Sequence, residues 1–280
     1  MKEQKSFSNN KSTLYVVSTP IGNLKDFTYR AVEILSSVDI ILAEDTRSSS
    51  ILLKHYKINN KVISYHEFNK EVMDERIMGY LNDGKSIALI SDAGTPGISD
   101  PGYEIIKSTI ENDFNVVSIP GASSILAALV TTGLIIQPFT FIGFLPRKNK
   151  DLNEILEKYK HREETLIIFE SPVRTKETIK VLLESLGDRK MALLRELTKI
   201  HETIIRTNLS DMMNVEIVEK GEIVLIVEGI KKENVNFDMA IEEHVLLYLR
   251  QGLSKMDAIK KVAKDRNVPK TIIYGIISKK

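Results

Sequence analysis

The chain has 280 residues, 42% of them hydrophobic and 28% charged, with a formal net charge of +1, enough to bury a sizeable core and to form two lobes or more. It has no cysteine and only five histidines, which excludes a disulfide framework, thiolate metal ligands and a thiol nucleophile, and fits a reducing cytoplasm. No apolar run approaches the roughly 18 residues of a membrane helix, and the leader MKEQKSFSNNKS lacks the apolar centre of a signal peptide, so residues 1–12 read as a disordered polar tail on a soluble, cytoplasmic protein with no membrane partner.

Thr13 to Ser18 is β-rich and apolar, then breaks into Thr19, Pro20, Ile21, Gly22 and Asn23, a step from strand into small-residue loop. Leu24 to Ser37 carries Phe27, Ala31, Ile34 and Leu35 at helical spacing, with Asp26 or Thr28 as cap. A buried strand over Asp39–Leu42 ends in AEDTR, which sets Glu44, Asp45 and Arg47 at a strand's carboxyl end before a helix over Ser48–Tyr56. Those charges either serve chemistry or, for Asp45 and Arg47, make an internal ion pair. Val62–Tyr65 is a short strand running into YHEFN, where His66 either binds substrate, acts as a base or is a satisfied structural group.

A helix over Val72–Asp83 is closed by Gly84. Then comes IALISDAGTPGISDPGY, residues 87–103, in which a strand over Ile87–Ile90 gives way to Ser91, Asp92, Ala93, Gly94, Thr95, Pro96 and Gly97. Glycine permits positive φ and close backbone approach, and proline fixes φ. A well-formed turn has the same composition, but a strand ending in such a loop is where open α/β sheets hold ligands. Neither GxGxxG here nor GxxxxGK[ST] anywhere is present, so no phosphate-cradling motif is assigned. After a helix over Tyr103–Asp113 and a strand over Val116–Ile119, Pro120 to Ser124 lead into a helix over Ile125–Thr132. Free amides at that helix start would suit an anionic group, while N-cap duty accounts for one serine.

Residues 13–120 therefore alternate strand and helix as in a parallel α/β lobe. Residues 121–232 read as a second α/β lobe of mixed strand direction, with strands over Phe139–Phe144, Thr165–Phe169, Met191–Arg195, Glu202–Thr207 and Ile223–Val227 and helices over Leu152–Lys160 and Thr175–Leu186. Residues 238–280 read as a small module of three helices, Ala240–Arg250, Lys255–Arg266 and Lys270–Ile277. From residue 240 onward nine Lys or Arg face four Asp or Glu, a surplus of +5 that leaves the rest of the chain at −4. That asymmetry fits an anionic partner or a solvated basic face.

Six motifs in order, TPIGNL (19–24), AEDTR (43–47), SDAGTPGISDPGY (91–103), PGASS (120–124), FIGFLPRK (141–148) and FESPVR (169–174), closely resemble those of the bacterial 16S ribosomal RNA cytidine 2′-O-methyltransferases, the RsmI family, of tetrapyrrole-methylase fold. The resemblance runs from about Thr13 to Gly229, and the C-terminal helices resemble that family's small extra domain. It implies two α/β lobes with S-adenosylmethionine folded between them, touched by Pro20, Ile21, Asp92, Ala93, Gly94, Thr95, Ser123 and Ser124, and by Phe169 and Glu170 where tetrapyrrole relatives usually carry Met-Gly. It also implies a homodimer acting on a cytidine ribose in the decoding region of 16S ribosomal RNA within the small ribosomal subunit. No metal is expected.

Methyl transfer to a ribose hydroxyl is an in-line displacement that needs alignment and removal of the hydroxyl proton. A base or an alkoxide-stabilising charge is therefore expected, and Glu44, Asp45 and His66 are the candidates. Arg47, Arg147, Lys148 and Arg174, with Lys260, Lys261, Lys264 and Lys270 of the basic module, are the candidates for RNA phosphates. Two other readings are a methyltransferase of a tetrapyrrole or other small molecule, which needs no basic appendage, and a non-catalytic RNA-binding protein, which needs no intact small-residue loops.

Overall fold

Five short strands make the first sheet: β1 (Thr13–Val17), β2 (Ile40–Ala43), β3 (Lys61–Ser64), β4 (Ile87–Ile90) and β5 (Asn115–Ile119). All are parallel, in the order β3-β2-β4-β1-β5. The central β2 and β4 are buried at every position, as a parallel sheet covered by helices on both faces requires. Ala88 and Ile90 pack on one face with Val17 and Ile41, whereas Ile87 and Leu89 pack on the other with Leu14 and Leu42. A slip of one residue would exchange the two sets, so the pattern fixes the register. The covering helices are α1 (Tyr29–Ser37), α2 (Thr46–His55), α3 (Lys70–Asn82) and α4 (Tyr103–Glu111). Thr28, one of the two expected caps, holds the start of α1 by accepting from the Ala31 amide.

Val17 stands level with Ile90 and Ile119, and Ala43 level with Ile90. The loops after β1, β2, β4 and β5 thus leave from one edge. The neighbouring β1 and β4 send their connections in opposite directions, to β2 and to β5, which opens a crevice at the carboxyl ends of a parallel sheet.

The second sheet contains β6 (Phe139–Phe144), β7 (Thr165–Glu170), β8 (Lys190–Arg195), β9 (Thr203–Asn208) and β10 (Ile223–Val227), in the order β6-β7-β10-β8-β9. Only β6 and β7 are parallel, the mixed directions expected from the sequence. On one face Leu156 of α6 (Asn149–Tyr159), Leu182 of α7 (Thr175–Leu186) and Leu209 of the short α8 (Leu209–Met212) pack against Ile168, Leu193 and Leu225. The other face receives Ala128 and Leu129, which lie on the helix that follows β5, α5 (Ser124–Thr131), together with Ile21 from the loop after β1. One core therefore joins both sheets at the crevice.

The structure, a computed structural model, describes residues 3–6, 8, 9, 11–230 and 239–278. The chain divides after Gly229 into two units, and the expected domain limits at 232 and 238 lie outside the described residues. The second unit is a bundle of α9 (Ile241–Arg250), α10 (Lys255–Asp265) and α11 (Lys270–Ile277) around Val245, Ile259, Val262 and Ile273.

Hydrogen bonds link described residues of the leader to β5. Gln4 both donates to and accepts from the Val116 backbone, at 2.9 and 3.0 Å, and Asn9 pairs with Asn115. The physical reason is the open edge of β5, whose unpaired backbone groups an amide side chain can satisfy. Among the described residues no helix is long and apolar enough to cross a membrane.

Candidate active site

Three loops meet at the crevice with almost no side chain between them. Thr19 and Gly94 exchange backbone hydrogen bonds of 2.8 and 3.1 Å, Thr19 Oγ1 donates to the Ser91 carbonyl at 3.1 Å, and the Ser18 and Thr95 hydroxyls are 2.8 Å apart. Gly94 needs φ +84°, in the left-handed region. Gly121 lies so near the first loop that a Cβ there would stand 3.0 Å from Ser18 Cβ. PGASS thus packs closely against the residue before TPIGN, where a side chain at 121 would crowd Ser18.

These loops and the ends of β7 and β10 enclose a chamber of about 890 Å³, within the usual size range of small-molecule sites. Ile21, Ala93, Gly94 and Thr95 line it from the first two loops, Ser123 and Ser124 from the third, and Phe169 from the second lobe. Ser123 caps α5 by accepting from the Leu126 amide at 3.4 Å. Phe169 packs edge-on to Phe141 and Phe144, centroids 4.8 and 5.7 Å away, and presents an apolar wall. Pro20 lines a smaller neighbouring cavity instead.

Glu170 also borders the chamber, but its carboxylate is buried and engaged. It accepts from the Ser171 amide at 2.8 Å and from Thr178 Oγ1 at 2.6 Å, and Arg174 stands 3.5 Å away. A carboxylate withdrawn from water requires such partners. The Glu170 carboxylate is thus held by its own lobe, with Arg174, mostly shielded from solvent, as its counter-ion.

AEDTR also divides. Asp45 caps α2, accepting from the Arg47 amide at 2.8 Å, and its oxygens hold the Arg47 guanidinium at 3.0 and 3.2 Å. These bonds hold the Asp45 carboxyl below its usual range. The ion pair exists, but at the surface, with Arg47 90% exposed, and Asp45 serves as the cap of α2. Glu44 turns the other way and lines the chamber. Burial first, then the negative charges of Asp100 and Asp92, push its pKa up, while His66 pulls it down. Asp92 and Asp100 line the same chamber, and burial raises both, although the Asp45 amide and Ser48 hydroxyl bond Asp92 and the Ser91 hydroxyl bonds Asp100.

His66 is half-buried, and its Nδ1 is enclosed without a hydrogen-bond partner. Its backbone amide donates to Asn69 Oδ1 at 2.9 Å, which fixes the turn that carries the ring. Asp100 escaped the sequence reading, although the second Ser-Asp pair of the long loop, in SDPG, contains it. Lys199 and Glu222, which border the smaller cavity, carry no periodicity or motif that would have singled them out.

Arg147 and Lys148 are exposed where β6 runs into α6. In the C-terminal unit, Lys260 is paired with Asp257 at 3.1 Å and Lys261 lies 5.0 Å from the centre of the Tyr248 ring. Lys264 and Lys270 are exposed. Among the described residues no His, Asp and Glu group is arranged to hold a metal ion.

Residues 13–213 match the family of Tetrapyrrole (Corrin/Porphyrin) Methylases. The chain is 46% identical to the ribosomal RNA small subunit methyltransferase I of Halalkalibacterium halodurans, over 99% of both chains. It is also 46% identical to the protein of that name from Bacillus subtilis, over 98% of this chain and 97% of that one. Among solved structures a diphthine synthase shares the fold, with a TM-score of 0.64 over 78% of this chain and 90% of that one, at 14% identity. The backbone-walled chamber and the full-length kinship agree, and the chain belongs to the tetrapyrrole methylase family, in its branch of ribosomal RNA small subunit methyltransferases I.

Proposed function

We propose that the chain methylates the 2′-hydroxyl of a cytidine ribose in the decoding region of 16S ribosomal RNA, with S-adenosylmethionine as donor. The observation that carries this reading is the chamber itself, whose walls combine close-packed backbone, an apolar aromatic face and a half-buried carboxylate of raised pKa. The residues fit the donor. Asp92, Ala93, Gly94 and Thr95 with the start of α5 offer polar groups and free amides, and Phe169 and Ile21 offer apolar surface. When bound, S-adenosylmethionine supplies an electrophilic methyl group on a sulfonium.

The remaining work falls to the chain. Glu44 takes the proton of the ribose hydroxyl, and His66 beside it favours the ionised carboxylate, pulling the Glu44 pKa down. The locked loops hold both reactants in line and exclude water. Burial of Glu44, and then the charges of Asp100 and Asp92, set the working pH. Glu44 acts as base only when ionised, and its pKa is raised, so the acid limb of the kcat profile stands above the ordinary glutamate range. Asp100→Asn removes a charge that opposes that ionisation and is expected to move the limb to lower pH, measured with both substrates saturating. A limb that stays in place would remove Glu44 from the role of base.

The C-terminal unit is proposed to bind RNA phosphates through Lys264, Lys270 and neighbouring basic side chains, with Arg147 and Lys148 adding contacts on the first unit. Removal of residues 239–280 is expected to weaken RNA binding by about tenfold or more and to flatten its salt dependence, with donor affinity unchanged by calorimetry. Unaltered RNA affinity would take that task away from the unit. We further propose a cytoplasmic homodimer and the assembled small subunit as substrate. Mapping ribose methylation in 16S ribosomal RNA from cells with and without the gene tests the reading as a whole.

A further inference from the structure

Beside the chamber lies a second cavity of about 260 Å³. Ile21, Asp92, Ala93 and Glu222 border both, so the two spaces are neighbours through shared walls. Leu24 and Ile51 give the small cavity apolar sides, and Asp92, Glu222 and Lys199 give it two hydrogen-bond acceptors and one donor.

Lys199 is placed there at a cost in backbone strain. Glu196 and Thr198 both take positive φ, +54° and +66°, which is rare for any non-glycine residue and rarer for a β-branched one. Such strain persists where the surroundings over-determine it, and it concentrates at functional positions. Two glycines provide those surroundings. A Cβ on Gly221 would stand 2.6 Å from Glu196 Cδ, and one on Gly22 would stand 2.5 Å from Lys199 Cγ. The Lys199 ammonium then bridges Glu196 at 2.8 Å and Glu222 at 3.1 Å.

The charge balance selects the ligand. Lys199 is already matched by two carboxylates and Asp92 adds a third, so the cavity is unsuited to a phosphate. It suits a neutral, flat group with an amine to donate and a ring atom to accept, between apolar sides, which is how extruded bases are recognised. Cytosine has that edge, whereas uracil presents a carbonyl in place of the amine. We propose that this cavity receives the base of the acceptor nucleotide, with Glu222 reading its amine and Lys199 its ring acceptor. The inference rests on the RNA-methyltransferase reading above, and it sets the ribose of that nucleotide at the shared wall, beside Asp92.

The test uses small subunits reconstituted with transcripts carrying cytidine or uridine at the methylated position. Wild type is expected to prefer cytidine by about 100-fold in kcat/KM. Glu222→Gln, whose amide can also donate, should narrow that ratio by about tenfold or more. Ile51→Trp, on the exposed side of α2, should fill the cavity and depress kcat/KM for both acceptors. Donor affinity by calorimetry should stay within about twofold in both variants. Unchanged discrimination in Glu222→Gln with full turnover in Ile51→Trp overturns the proposal. So does a parallel loss of donor affinity, which would give the cavity to the donor. If wild type methylates neither subunit, the functional reading fails first and the proposal with it.

Discussion

Glu44→Gln is expected to slow methyl transfer by roughly 10²–10⁴-fold, the usual worth of a positioned general base, while S-adenosylmethionine affinity stays close to wild type. The substitution keeps volume and hydrogen-bonding reach and removes only the capacity to take a proton. The loss should therefore appear in single-turnover rates with RNA and donor saturating, and not in calorimetry. Its neighbour provides the contrast. Asp45→Asn touches a helix cap that asparagine also serves and a surface ion pair, features whose change has little effect on stability, and turnover should be nearly intact. His66→Ala should fall between the two, because it withdraws a neighbour that favours the ionised form of Glu44 without removing the base. Wild-type rates for Glu44→Gln would show that alignment alone carries the reaction.

The opposite fates of Glu44 and Asp45 mark how far the sequence could be read. Short apolar runs located the strands, and their alternation with helices pointed to a parallel lobe, in which β2 and β4 are buried at every position. The small-residue loops were legible because they follow apolar strands, where open α/β sheets hold ligands, although a plain turn has the same composition. What could not be read was which of two adjacent carboxylates turns into the cleft. Where a strand hands over to a helix, one residue caps and its neighbour points elsewhere, and composition is the same either way. The surroundings of Glu170 were hidden in the same way: the partners that occupy its carboxylate, Thr178 and Arg174, belong to the following helical turns. The four-residue α8 is too short to show periodicity. Glu196 to Lys199 look like any charged turn until glycines at 22 and 221, distant in sequence, are found against them.

Gly94→Val is expected to abolish measurable donor binding, with affinity reduced by about 100-fold or more. The residue is buried at φ +84°, and its amide and carbonyl are both committed to Thr19. A left-handed L-residue costs about 1–2 kcal/mol, and a Cβ here would already be 3.5 Å from Ile21 Cγ2, so the branched side chain has nowhere to go but against that wall or into the chamber. The strand-like bridge between the first two loops would have to break or shift, and the donor's surroundings with it. Gly84→Val separates this effect from backbone strain alone. Gly84 has nearly the same φ, +81°, but open space around it and a place at the exposed end of α3. Both variants should unfold at lower temperature, by roughly 2–4 °C per kcal/mol in a chain of this size, and only Gly94→Val should lose the donor. If the two bind S-adenosylmethionine equally well, the glycine-walled chamber is not the donor's site; if they differ as expected, the closeness of the Thr19 and Gly94 backbones is what shapes it.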